Sequence, residues 1–98
     1  MDEPVLKSKE AKELYKAFLS LKTAEECAQF LRDICTLKEI EDMISRLQTA
    51  RMLSQKNPKP VREIAQNVGA STTTVSRVSH WLHHGRGGYA LVLKRLGY

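Results

Sequence analysis

Apolar residues recur along this chain at steps of three and four, and no alternating β-branched run bounded by turns interrupts them. The pattern predicts helices almost throughout. A first helix is expected from about Val5 to Leu21, with Ala11, Leu14, Phe18 and Leu21 on one stripe and Lys9, Lys12, Glu13 and Lys16 on the other face. Thr23-Ala-Glu-Glu26 reads as a capping box, in which the Thr hydroxyl accepts from the third helical N–H and the Glu reaches back. It opens a second helix to about Cys35, with Cys27, Phe30, Leu31 and Ile34 inward. Thr36-Leu-Lys-Glu39 reads as another capping box and opens a long third helix, about Leu37 to Gln55. Leu37, Ile40, Ile44 and Leu47 form its stripe, and Met43, Ala50 and Leu53 widen it beyond what one short helix can cover.

Lys56-Asn-Pro-Lys-Pro60 must break that helix, because each proline lacks an N–H and turns its predecessor away from helical backbone. Pro60 can serve as an early residue of a fourth helix, Val61–Asn67. Pro60–Leu82, PVREIAQNVGASTTTVSRVSHWL, then has the pattern of a helix-turn-helix. Ile64, Val68, Ala70, Val75 and Val78 are apolar where two crossed helices pack, and Ala65 is small where they approach. Gly69 sits in the turn, where positive φ is cheap for glycine alone. Ser71 or Thr72 is expected to cap a fifth helix running to about His83. Gly85-Arg-Gly-Gly88 reads as a flexible hinge, followed by a short helix Tyr89–Leu96 that packs back through Ala90, Leu93 and Leu96.

The organisation expected is an all-α, six-helix single domain, residues 1–98. Residues 1–55 form a helical dimerisation scaffold, 60–84 the helix-turn-helix, and 85–98 a hinge and C-terminal helix. Ninety-eight residues bury only a modest core, so a second copy would help.

Charge sharpens this picture. Residues 1–45 carry seven Lys/Arg against ten Asp/Glu, whereas residues 46–98 carry nine Lys/Arg and the single acid Glu63. The basic half is the half with the helix-turn-helix, which reads as an electrostatic footprint for DNA phosphates. Ser71, Thr72, Thr73, Thr74, Ser76 and Arg77 lie on or beside the second helix of the motif, whose N-terminal end meets base edges in the major groove. Hydroxyls serve several bases, and a Thr methyl packs on a thymine methyl. Arg62, Lys56 and Lys59, with Arg46 and Arg51, are candidates for phosphate contacts, which anchor without specifying. A solvated charge is the bland reading of each.

Other chemistry is thin. Cys27 and Cys35 would stand about 12 Å apart along a straight helix, too far for a disulfide, and read as buried small hydrophobes of a reducing compartment. No apolar run spans a bilayer, and MDEPVLKSKE is not a signal peptide, so a cytoplasmic protein with no membrane partner is expected. His80, His83 and His84 share helical spacing but have no Cys or acid nearby. They read as a surface cluster adding charge near DNA at mildly acid pH, not as a metal site. No catalytic order and no phosphate-cradling loop emerges, so neither an enzyme nor a cofactor is expected.

From about Thr36 to Leu82, TLKEIEDMISRLQTARML and VREIAQNVGASTTTVSRVSHWL resemble the tryptophan repressor superfamily, especially its YerC/YecD-type members. The resemblance implies an intertwined homodimer on double-stranded DNA, with half-sites roughly 34–36 Å apart. It also implies an effector pocket: Thr36, Arg46 and Arg77 fall on ligand-contacting positions. Val78, however, stands where that family uses glycine, and Trp81 where it uses a small hydroxyl residue. That bulky pair is expected to shrink the pocket, the indole of Trp81 taking part of the ligand's place, so that tryptophan is not the effector. Two function classes stay open: a sequence-specific dimeric transcriptional regulator, and an interaction or non-specific DNA-binding accessory module of the same fold.

Overall fold

The computed structural model describes residues 3–98, and among them are six α-helices and no strand. They are α1 (Lys9–Leu19), α2 (Ala24–Ile34), α3 (Leu37–Leu53), α4 (Val61–Val68), α5 (Thr72–His84) and α6 (Gly88–Leu96). None is long and apolar enough to cross a membrane. The chain divides into two compact units, one ending at Leu37 and one spanning Lys38–Tyr98.

In the first unit, Pro4–Lys7 forms a 3₁₀ turn and α1 begins only at Lys9, later than the apolar spacing predicts. Ser8 explains the shift: its Oγ accepts from the Ala11 N–H at 3.0 Å and donates to the Val5 carbonyl at 2.8 Å, separating turn from helix. The Tyr15 hydroxyl ties the turn to α1 by donating to the Leu6 carbonyl at 2.9 Å. The Thr23 capping box forms as expected on the hydroxyl side, Thr23 Oγ1 accepting from the Glu26 N–H at 3.1 Å. Glu26 reaches one residue further back than expected, to the Lys22 N–H at 2.8 Å. Phe18 and Phe30 meet edge to face with centroids 5.3 Å apart.

No described residue of this unit is buried. Leu14, Phe18, Leu19, Ile34 and Leu37 are exposed, as is Cys27, while Cys35 is half-buried. The two thiols are therefore free but not the buried hydrophobes expected. Of the apolar stripes, Ala11, Leu21, Phe30 and Leu31 are half-buried and the rest exposed within this unit.

The second unit holds two small apolar clusters. Ala50, Val78 and Leu93 form one, with Leu82 and Tyr89 packed on it, and Ile64, Ala65 and Val75 form the other, with Met52 and Val68. Leu53 touches both and joins them. Ile64 and Val75 are fully buried, each worth about 1.5–3 kcal/mol relative to exposure. Thr49 is the buried polar residue, and its Oγ1 donates to the Ser45 carbonyl at 2.7 Å. Residue Leu53 ends α3 two positions early, where the Ser54 hydroxyl takes the Ala50 carbonyl at 2.8 Å.

The glycines expected to form a flexible hinge each hold a defined place. The Gly85 N–H closes α5 on the Trp81 carbonyl at 2.9 Å, Gly87 caps α6 at φ 82°, and Gly88 is helical. On α6, only Leu93 is buried and Tyr89 half-buried, whereas Ala90 and Leu96 stay exposed.

Candidate nucleic-acid interface

The helix-turn-helix is built at its turn. Pro60 stands just before α4 as its N-cap, with ψ 151°, and not inside the helix. Gly69 ends α4 at φ 69°, ψ 32°, and the Ala70 N–H returns to the Ala65 carbonyl at 3.0 Å. A non-glycine residue at that φ would be strained. The reversal brings α5 across α4 so that Ile64 and Ala65 pack on Val75.

Ser71 is the cap of α5. Its Oγ accepts from the Thr74 N–H at 3.1 Å and lies 3.1 Å from the Thr74 hydroxyl. Those two hydroxyls are thus engaged with each other, and Thr74 is half-buried. Thr72, Thr73, Ser76 and Arg77 are exposed on the opening turns, where side chains can reach a base edge. Arg62 is exposed on α4, and Lys56 is exposed in the connector. Lys59 lies 3.6 Å from Glu63, both half exposed. Arg51 is turned elsewhere: its guanidinium lies 3.7 Å over the Tyr98 ring, a cation–π contact that neither residue's position in the sequence announces.

Four of the five residues expected around an effector come together. Arg46, Arg77, Val78 and Trp81 line one open cavity of about 360 Å³, with Thr74 and Tyr89. Thr36 belongs to the first unit. Tyr89 was not expected there; its spacing of four from Leu93 was the available signal. Trp81 lines this cavity. The indole is 53% exposed, edge-on to His80 at 5.8 Å and lying against Gly85 along its own helix. Val78 lines the cavity and also packs in the core with Ala50 and Leu93.

Two neighbouring surfaces matter. A polar cleft of about 410 Å³ lies between Lys38, Asp42, Ser45 and Arg46 of α3 and the Gly69–Ser71 turn. There the Ser45 hydroxyl is buried without a protein partner. Lys38 pairs with Asp42 at 3.0 Å, and that carboxylate raises the ammonium's pKa above its ordinary value. On the other side of Trp81 and Tyr89, an apolar groove of about 480 Å³ runs past Leu47, Gly88 and Val92.

Comparison with known proteins agrees with this architecture. The family described as Trp repressor protein matches residues 9–97. The chain is 42% identical to the uncharacterized protein YerC of Bacillus subtilis (strain 168) over 91 residues, covering 93% of this chain and 86% of YerC. It superposes on a crystallised TrpR-like protein from Eubacterium eligens ATCC 27750 with a TM-score of 0.90 at 39% identity, covering 97% of this chain and 96% of that one. A Staphylococcus aureus protein crystallised as a candidate Trp repressor gives 0.89 at 40% identity, covering 98% and 94%. With nearly its whole length matched and its helix order reproduced, the chain belongs to the Trp repressor protein family.

Proposed function

We propose that this chain is a cytoplasmic transcriptional regulator that binds DNA sequence-specifically as a homodimer and does not respond to tryptophan. The observation that carries the reading is the turn at Gly69, which crosses α4 and α5 and leaves Thr72, Thr73, Ser76 and Arg77 exposed at the start of α5. A helix presented in that way meets base edges in the major groove. Lys56, Lys59 and Arg62 supply phosphate attraction around it, in a half of the chain with one acid. Membership of a family named for a repressor supports a binding protein over an enzyme.

The homodimer is supported by uncovered apolar surface. Met43, Ile44 and Leu47 on α3, Trp81 on α5 and Leu91 and Val92 on α6 are all exposed. Patches of this kind mark association sites. A second copy would bring a second α5, and a two-fold operator follows from that symmetry. The indifference to tryptophan is read from Val78 and Trp81, two bulky side chains that take up lining of the cavity beside Arg46 and Arg77.

Binding to random and selected duplexes across a salt series tests the reading. A specific regulator loses affinity linearly in log salt and keeps a large ratio between sequences. Equal affinity for all sequences would instead mark an accessory DNA binder, and no binding an interaction module.

A further inference from the structure

We infer that His80 and His84 form a proton-dependent contact patch for the DNA backbone at the C-terminal end of α5, extending the surface that reads the operator. The inference rests on the DNA-binding reading above and adds a site to it. Thr73, Arg77, His80 and His84 follow one another at steps of four, three and four, and all four are exposed. Eleven residues make about three turns, so the four side chains stand on a single narrow stripe about 17 Å long. The stripe lies opposite the buried Val75 and Val78. Its first two members are the residues placed at base edges.

The major groove is about 12 Å wide. A stripe longer than that, entering at Thr73, carries its far end out of the groove and onto a phosphate wall. A helix C-terminus is a poor place for a phosphate, because its free carbonyls present partial negative charge. A cationic side chain there reverses the sign, and the same carbonyls favour the cation. Imidazoles change charge between about pH 5 and 8, so they supply this cation conditionally. The His80 and His84 rings are 5.3 Å apart by centroid, close enough to share one phosphate group. Two protonated rings at that distance repel each other, and a phosphate between them relieves the repulsion. Proton uptake and DNA binding are therefore linked. His83 differs: its Nδ1–H donates to the Ser79 carbonyl at 2.8 Å, which fastens the ring to its own helix and off the stripe.

The surrounding charges do not cancel this patch. α5 has no acid, and its one other full charge is Arg77. The elements packed against it carry Arg62 and Glu63 on α4, Lys38, Glu39, Glu41, Asp42, Arg46 and Arg51 on α3, and Tyr89, Lys94 and Arg95 on α6, with Arg86 in the connector. The α3 acids stand in its first half, where Glu41 and Asp42 border the Gly69–Ser71 turn at the opposite end of α5 and Asp42 pairs with Lys38. Glu63, the single acid among those on α4 and α6, is engaged by Lys59.

The test is the salt dependence of binding to a short random-sequence duplex at pH 6.0 and pH 8.0, using the full chain. The log–log slope should be steeper at pH 6.0 by about 0.9 for each imidazole engaged, and affinity near 0.1 M salt roughly tenfold higher or more. His80→Gln with His84→Gln should abolish the difference, His83→Gln should keep it, and His80→Arg with His84→Arg should bind at pH 8.0 as tightly as the natural chain does at pH 6.0. Binding with the same slope at both pH values, or a pH effect that survives the double glutamine variant, would overturn the patch and leave the DNA-binding reading standing. No binding to any duplex at either pH would overturn both.

Discussion

Gly85 and Trp81 close α5 together: the Gly85 N–H donates to the Trp81 carbonyl at 2.9 Å, and the indole lies against the same glycine. A Cβ at residue 85 would fall on that carbonyl oxygen and within 3.0 Å of the indole Cε3. Gly85→Ala must therefore displace either the last turn of α5 or the tryptophan. A loss of about 1–3 kcal/mol is expected, the range of overpacked sites. Chemical denaturation followed by tryptophan fluorescence checks it; an unchanged midpoint and spectrum would show that the glycine is dispensable.

Sequence preference and bulk affinity should separate by residue. Thr73→Ala removes an exposed hydroxyl and methyl from the reading end of α5, and should reduce discrimination between duplexes by about 1 kcal/mol while leaving the salt slope alone. Lys56→Ala removes a connector charge, and should weaken all sequences alike and lower the slope by about 0.9. Fluorescence anisotropy over several salt concentrations reads both. If neither variant alters binding, the reading surface lies elsewhere.

Local chemistry explains what was legible in the sequence. Thr23 caps α2 as expected, Ser71 is the one of the two candidates, Ser71 or Thr72, that caps α5, and Gly69 takes the left-handed turn, because each of these depends on neighbours within a few residues. The misread features depend on distant partners. Cys27 lies on an apolar stripe yet is exposed, because burial depends on what packs over a stripe and not on its periodicity. The contact of Arg51 with Tyr98 joins the middle of the chain to its last residue. At the candidate site, Arg46, Arg77, Val78 and Trp81 were placed together by resemblance alone. The arrival of Tyr89 follows from how α6 returns after Gly85, and the glycine run reads as loose until its backbone angles are known.

The uncovered face of α3 should be a subunit interface. Ile44 is 53% exposed at its centre and belongs to neither core cluster. Ile44→Glu should leave the helix-turn-helix folded, dissociate the homodimer, and remove any dependence of the melting midpoint on protein concentration. Analytical ultracentrifugation with circular dichroism distinguishes this from unfolding. A variant that sediments like the natural chain would move the interface off this face.

L-Tryptophan should give no binding isotherm by calorimetry, since Val78 and Trp81 take up lining of the cavity beside the arginine pair. Binding in the micromolar range would mean that the cavity admits an indole beside Val78 and Trp81, and would restore tryptophan as an effector.

Selection of bound duplexes from a random pool tests sequence-specific reading by a dimer most directly. The enriched motif should be two-fold symmetric, with half-sites centred about one helical turn apart, as two copies of α5 require. A pool that stays random after repeated rounds, or one that converges on a single unrepeated half-site, would contradict the account.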